Sequence, residues 1–243
     1  MKIVFLTMFP EMLASFFASP LVERARKKGI VDVCVCDIRA YADGSFRHID
    51  DSPCGGGVGM IMRYDVLLRA LEDVAGAGAK VVMTTPVGHV FSQEDARRLC
   101  ELDEIVVICG HYEGVDARIL DHCDELLSLG DYVLSGGEYA AMAMMDAVVR
   151  LKDGILRKES TMDESFSDGL LEYPQYTRPV SWNGKDVPGV LLSGNHGAIK
   201  RWRKAQALLL TQKMRPDLMQ NYRLTDEERE LMEEYNDQGN HKG

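Results

Sequence analysis

Apolar residues along the chain follow two different periods. Strand candidates occupy positions 2–8, 31–38, 80–85, 104–109 and 125–129, several of them as continuous runs rich in Val and Ile. Continuous runs of this kind predict strands covered on both faces, because a sheet with no solvated side has no reason to alternate polar and apolar residues. Between them, positions 11–28, 64–75, 92–102, 115–122 and 137–151 carry apolar residues at helical spacing. Strands alternating with helices predict an α/β fold built on a mainly parallel sheet. Ser19-Pro20 reads as an N-cap followed by proline at the first helical position, which divides the first helical stretch in two. Ser92, with Glu94 and Asp95 behind it, marks another helix start.

After residue 152 the pattern fails. Positions 158–165 are polar and aperiodic, as in a linker. Positions 174–194 are rich in proline and glycine, and helices are expected at about 198–213 and 225–235, the second opened by a capping box from Thr225 to Glu228. The expected organisation is an α/β domain over 1–157, a linker over 158–172 and a small helical C-terminal domain over 173–243. Cys54-Gly55-Gly56-Gly57-Val58-Gly59 has no clear strand before it and reads as a mobile loop able to cover a site.

Charge refines this picture locally. The net charge is −10, yet from Arg178 to Pro216 there are eight basic residues and a single acid, Asp186. A basic segment within an acidic chain points to a local anionic partner. The six cysteines form no C-x-x-C pair and read as reduced thiols. The N-terminal apolar run is too short and lacks the basic flank of a signal peptide, and no run has membrane-spanning length, so no membrane association and a cytoplasmic location are expected.

Three expected strand ends carry glycine: Thr84-Thr85-Pro86-Val87-Gly88, Cys109-Gly110-His111-Tyr112-Glu113-Gly114, and Leu129-Gly130-Asp131-Tyr132-Val133-Leu134-Ser135-Gly136-Gly137-Glu138. Ligands of parallel sheets sit beyond such ends, and glycine lets a backbone approach a flat ligand. Each segment alone reads as a plain turn; three at successive strand ends read as a site. The dinucleotide fingerprint, the P-loop and the G-x-S-x-G elbow are all absent. His111 and Glu113 suit acid–base or polar recognition work, or a structural role. Arg150 ends a helix, where a cation is favourable in any case. Asp163 and Glu164 are either a solvated acidic pair or a functional one. Asn195 or His196 can cap the helix that carries Lys200, Arg201, Trp202, Arg203 and Lys204. Basic residues around a tryptophan suit phosphates and bases, unless Trp202 simply packs inward.

Longer motifs carry a resemblance. They are Gly55-Gly56-Gly57-Val58-Gly59-Met60, Cys109 to Asp116, Gly130 to Glu138, Ser165-Phe166 with Gly169-Leu170-Leu171, Tyr176-Thr177-Arg178-Pro179, and Leu191-Leu192-Ser193-Gly194-Asn195-His196. To about residue 216 the chain resembles the bacterial tRNA (guanine-N1) methyltransferases of the SPOUT class. The resemblance implies a SPOUT-type parallel sheet with a deep trefoil knot, a homodimer with its active site at the subunit interface, and S-adenosylmethionine as methyl donor. It places cofactor contacts on Thr84, Thr85, Pro86, Gly110, Tyr112, Glu113, Leu129, Gly130, Tyr132, Leu134, Gly136 and Gly137, with Asp131 and Val133 in the same loop. It implies as substrate the guanosine 3′ of the anticodon, position 37 of tRNA, with the anticodon stem-loop held by Asn195, His196, Lys200, Arg201 and Arg203. His111 stands where arginine also occurs, and is expected to contact RNA or the facing subunit. The family's arginine at position Arg150 stabilises charge on guanine O6, and an aspartate directly before Ser-Phe removes the N1 proton. Here that position is Glu164, with Asp163 one step earlier; Glu164 is the base by position and Asp163 the alternative. Rival readings are a SPOUT enzyme with another RNA target and a non-catalytic RNA-binding protein with a relict fold.

Overall fold

The structure, a computed structural model, describes residues 1–44, 47–156 and 164–240, with the side chains of 237–240 left out. The chain divides into two compact units, 1–157 and 158–243.

In the first unit a five-stranded sheet runs in the order β2 (Asp32–Asp37), β1 (Lys2–Thr7), β6 (Glu104–Cys109), β5 (Lys80–Val90), β7 (Glu125–Ser128). Every neighbouring pair is parallel. Parallel strands need crossovers, and the helices that supply them cover both faces. Ile3, Phe5, Val82, Ile105 and Val107 point to one side, against α1 (Ala14–Phe17), α2 (Pro20–Lys27), α4 (Gln93–Cys100) and α5 (Gly137–Val149). Val4, Leu6, Val81, Met83, Val106 and Ile108 point to the other, against α3 (Tyr64–Val74) and the short 3-10 turn at Ala117–His122. The α/β sheet expected from the apolar runs is therefore present.

Local signals act as the sequence leads one to expect. Pro20 opens α2 and Ser19 caps it by accepting from Val22 N. Ser92 and Asp95 close a reciprocal capping box on α4. Burial alone would raise the Asp95 pKa, but hydrogen bonds from Ser92, Arg98 and His89 outweigh it and hold the carboxyl at about 2. An unfolded aspartate titrates near ~3.9, so this stabilisation is complete above about pH 4 and disappears as pH falls through 2. Asp95→Asn should therefore cost roughly 1–2 kcal/mol near neutral pH. In urea unfolding followed by circular dichroism, the gap to the unaltered protein should close between about pH 4 and pH 2.

Several features differ from the sequence reading. The segment Thr84–Gly88 is not a loop beyond β5. The strand continues to Val90, with an irregularity between Thr84 and His89 where both residues pair with Leu127. Pro86, which has no N–H to donate, falls in that break. Gly88 is needed for approach rather than turning: a Cβ there would lie 2.4 Å from the Leu126 and Leu127 backbone. Glycine-rich 54–59 is fed by a strand after all, standing between β3 (Asp50–Asp51) and β4 (Ile61–Met62), which pair antiparallel. The helix expected at 115–122 is a 3-10 turn from Ala117.

The second unit contains a two-residue hairpin, β8 (Ser181–Trp182) with β9 (Lys185–Asp186), in the region read as loop. Its turn residues Asn183 and Gly184 have φ of 49° and 75°, the positive pair a type I′ turn needs. Then follow α6 (Gly189–Leu192), α7 (His196–Met214), α8 (Pro216–Asn221) and α9 (Asp226–Asn240). Leu170, Ala207, Leu208 and Met232 form the core of this unit. Thr225 and Glu228 exchange the hydrogen bonds of the expected capping box.

Candidate functional site

The carboxyl ends of β5, β6 and β7 open onto one cleft of about 330 Å³. The irregular part of β5 contributes Thr84, Thr85 and Pro86; the segment after β6 contributes Gly110, Tyr112 and Glu113. The segment between β7 and α5 contributes Leu129, Tyr132, Val133, Leu134, Gly136 and Gly137. Three stretches distant in sequence thus meet because their strands are neighbours in one parallel sheet, the arrangement that puts ligand sites at strand ends. Two expected positions, Gly130 and Asp131, do not line the cleft. Gly130 is taken up in the turn, where its carbonyl accepts from Tyr132 N at 2.9 Å and from Ser128 Oγ at 3.1 Å. Ser135 and Val115 line the cleft and were not among the expected residues. Ser135 lies inside the third glycine motif, so its position was open to reading.

The cleft wall is tightly fastened. Gly137 N donates to Gly110 O at 2.8 Å, and Thr84 Oγ1 donates to Gly137 O at 3.2 Å and Ile108 O at 3.3 Å. A Cβ on Gly137 would lie 2.3 Å from Thr84 Oγ1, 2.9 Å from Gly110 N and 3.0 Å from Cys109 Cα. The first turn of α5 therefore sits against the end of β6 at a distance only glycine permits. The glycine-rich segment is joined to the second motif: Glu113 N donates to Met60 O at 3.1 Å and Met62 N to Gly114 O at 3.0 Å.

Pro86, Leu129, Leu134 and Val115 give the cleft apolar surface, while Thr84, Glu113 and backbone groups add polar surface. Such a cleft fits a flat heterocycle carrying polar substituents. Burial pushes the Cys109 thiol well up, and the Glu138 carboxylate adds to the effect. Cys109 is therefore a protonated thiol and not a nucleophile. Burial, and then the Asp50 carboxylate, likewise raises the Tyr112 phenol. Among the described residues no cluster of three or more His, Cys, Asp or Glu could hold a metal ion.

His111 lines the cleft, but its ring is turned toward the protein. Its Nε2 lies 2.8 Å from Glu138 Oε2, and its ring packs edge-on against Phe9 at 4.7 Å. Arg150 closes the C-terminal end of α5, where its N–H reaches Asp146 O, and it does not line the cleft. Asp163 lies outside the described residues.

In the second unit Glu164 lines a cleft of about 350 Å³ together with His196, Lys200 and Arg203. Asn195 caps α7 by accepting from Ala198 N at 3.1 Å. Arg201 pairs with Glu234 at 2.8 Å, and the Arg203 guanidinium stacks over the Tyr173 ring at 4.7 Å. Trp202 is 7% exposed and belongs to the interior, so it offers no stacking face. Trp182, on the hairpin, is 69% exposed and does. The N-G turn that presents it is a legible hairpin signal that the sequence reading passed over. No described helix is long and apolar enough to cross a membrane.

The family model described as tRNA (Guanine-1)-methyltransferase TrmD matches residues 1–221. Similar curated proteins are named tRNA (guanine-N(1)-)-methyltransferase. One from Desulforudis audaxviator is 48% identical over 96% of this chain and 95% of its own. One from Staphylococcus epidermidis is 47% identical over 97% of each chain, and one from Syntrophomonas wolfei is 46% identical over 96% of each.

Proposed function

The chain belongs to the TrmD family of tRNA (guanine-N1) methyltransferases, and on that premise we propose that it methylates N1 of the guanosine at position 37 of tRNA, 3′ of the anticodon, with S-adenosylmethionine as donor. The observation that carries this reading is the single cleft formed by the three glycine-marked segments, with Gly137 held against β6. Thr84, Pro86, Leu129 and Leu134 would hold the adenosine part of the donor against apolar surface and backbone, with Tyr112 and Glu113 also lining the cleft.

When bound, S-adenosylmethionine supplies an electrophilic methyl group. Guanine N1 carries a proton and is a poor nucleophile until that proton leaves. Glu164 takes the proton in this proposal, with Asp163 as the alternative. The Arg150 guanidinium stabilises the negative charge that grows on O6 as the proton departs. Asn195, His196, Lys200, Arg201 and Arg203 hold the anticodon stem-loop, and Lys200 and Arg203 bring positive charge to the cleft that Glu164 lines. The proposal includes a homodimer with its active site at the subunit interface. Val133 (85% exposed), Tyr132, Tyr139 and Val87 leave apolar surface around the cleft mouth, which a partner subunit would cover. It also includes the deep trefoil knot that membership of the SPOUT class implies. A cytoplasmic location goes with these partners.

The test is methyl transfer to unmodified tRNA transcripts. Incorporation should require guanosine at position 37 and vanish when that base is adenosine. Transcript affinity should fall by about 10³-fold or more between 50 and 200 mM salt if six or more phosphates are contacted. Equal methylation of both transcripts, or a flat salt response, would overturn the assignment.

A further inference from the structure

Glu138 is a fully buried carboxylate whose two oxygens are shared between distant parts of the first unit. Thr7 Oγ1, at the end of β1, donates to Oε1 at 2.5 Å. His111 Nε2, just after β6, lies 2.8 Å from Oε2. Thr7 Oγ1 also accepts from Phe9 N at 2.8 Å, and the Phe9 ring packs against the imidazole. No buried side-chain polar atom among the described residues is left without a partner. A buried carboxylate is tolerated only when its lone pairs are met in this way, and removing one donor leaves the others misplaced.

The position of this network matters more than its strength. Glu138 stands in the first turn of α5, one residue after Gly137, so its side chain fixes where the third glycine segment enters the helix. There a carboxylate also complements the N-terminal end of the helix dipole. His111 is the residue after Gly110, and a bridge pairs His111 with Gly136. The Glu138–His111 contact therefore ties the second and third cleft segments together, and the Thr7 contact anchors both to the end of β1, the strand beside β6. Both oxygens of the Glu138 carboxylate are thus engaged by the protein itself.

We infer that Glu138, acting through His111 and Thr7, is a positioning residue that sets the spacing of the second and third cleft segments for the methyl donor. This rests on the assignment of the cleft to S-adenosylmethionine. It gives His111 a bracing role within the subunit in place of an RNA contact. Glu138 and Thr7 are fully buried and the His111 ring is held by Glu138 and Phe9, so their expected effect is on donor affinity and not on the chemical step.

The experiment measures S-adenosylhomocysteine binding by calorimetry, steady-state methyl transfer and thermal melting on the full chain. His111→Ala and Glu138→Gln should each weaken S-adenosylhomocysteine binding and raise KM for the donor by about tenfold, the loss expected of one hydrogen bond to a charged group. The kcat at saturating donor should stay within about threefold. His111→Gln, whose amide nitrogen can replace Nε2 as donor, should recover most of the affinity and keeps the inference testable if His111→Ala folds poorly. The double variant should be no worse than the worse single one, because both remove the same link. A merely structural network would instead lower the melting temperature and the folded fraction while the folded protein bound normally. That outcome, or additive losses in the double variant, overturns the inference. If the unaltered protein fails to bind S-adenosylhomocysteine, the cofactor assignment itself falls, and this inference falls with it.

Discussion

Gly137→Ala should lower affinity for S-adenosylmethionine by about 100-fold while leaving the sheet folded. The added methyl would meet Thr84 Oγ1 at 2.3 Å, and a side-chain rotation could relieve that contact. It would also meet Gly110 N at 2.9 Å and Cys109 Cα at 3.0 Å, and these are backbone at the end of β6. Nothing there rotates, so α5 must withdraw, stretching the Gly137 N to Gly110 O bond of 2.8 Å. Overpacking of this kind costs about 1–3 kcal/mol. The cost falls where the second and third segments meet, so it is expressed as lost ligand affinity. Calorimetric titration with S-adenosylhomocysteine, with circular dichroism to show the fold retained, reads it directly. A variant that folds and binds within about threefold of normal would show that the donor does not rely on this contact.

Glu164→Gln should reduce kcat by about 10³-fold with little change in donor affinity. An amide keeps the shape and polarity of the side chain but cannot take the N1 proton, and loss of a general base costs about 10²–10⁴ in rate. Glu164 lines the second unit's cleft beside His196, Lys200 and Arg203, where the incoming nucleotide is proposed to lie. Single-turnover methyl transfer at saturating tRNA separates the chemical step from binding. Near-normal turnover in this variant would move the role to Asp163, and Asp163→Asn would then carry the loss.

The strands and the cleft were legible for one reason. A doubly covered parallel sheet writes its strands as unbroken apolar runs, such as Ile105–Cys109, and its ligand segments follow those runs directly. Caps were equally readable, because Ser19, Ser92 and Thr225 act on residues three positions away. Gly88 shows where this kind of reading ends. In sequence it looks like a turn glycine, yet it lies in a strand and is required by the backbone of Leu126 and Leu127. Nothing near residue 88 announces that neighbour. Glu138 is harder still. It reads as an ordinary acid in a helix's first turn, and one of its partners, Thr7, is 131 residues away. Trp202 was ambiguous for a different reason, since a tryptophan among basic residues serves equally as a stacking platform or as core. Only the packing of α7 decides that it is core.

The two tryptophans of the chain are Trp182 and Trp202, and both belong to the second unit. One is exposed on a hairpin and the other is enclosed. Excitation near 295 nm therefore sees the second unit alone and is blind to the sheet that carries the donor cleft. The emission has a water-facing component open to quenchers such as iodide and a shielded one that is not. The seven phenylalanines and nine tyrosines leave no such selective signal for the first unit, whose melting is seen in far-UV dichroism together with that of the second unit's helices. A fluorescence melt of this protein thus reports on the second unit and a dichroism melt on the helices and strands of both, and any gap between them measures how independently the two units unfold.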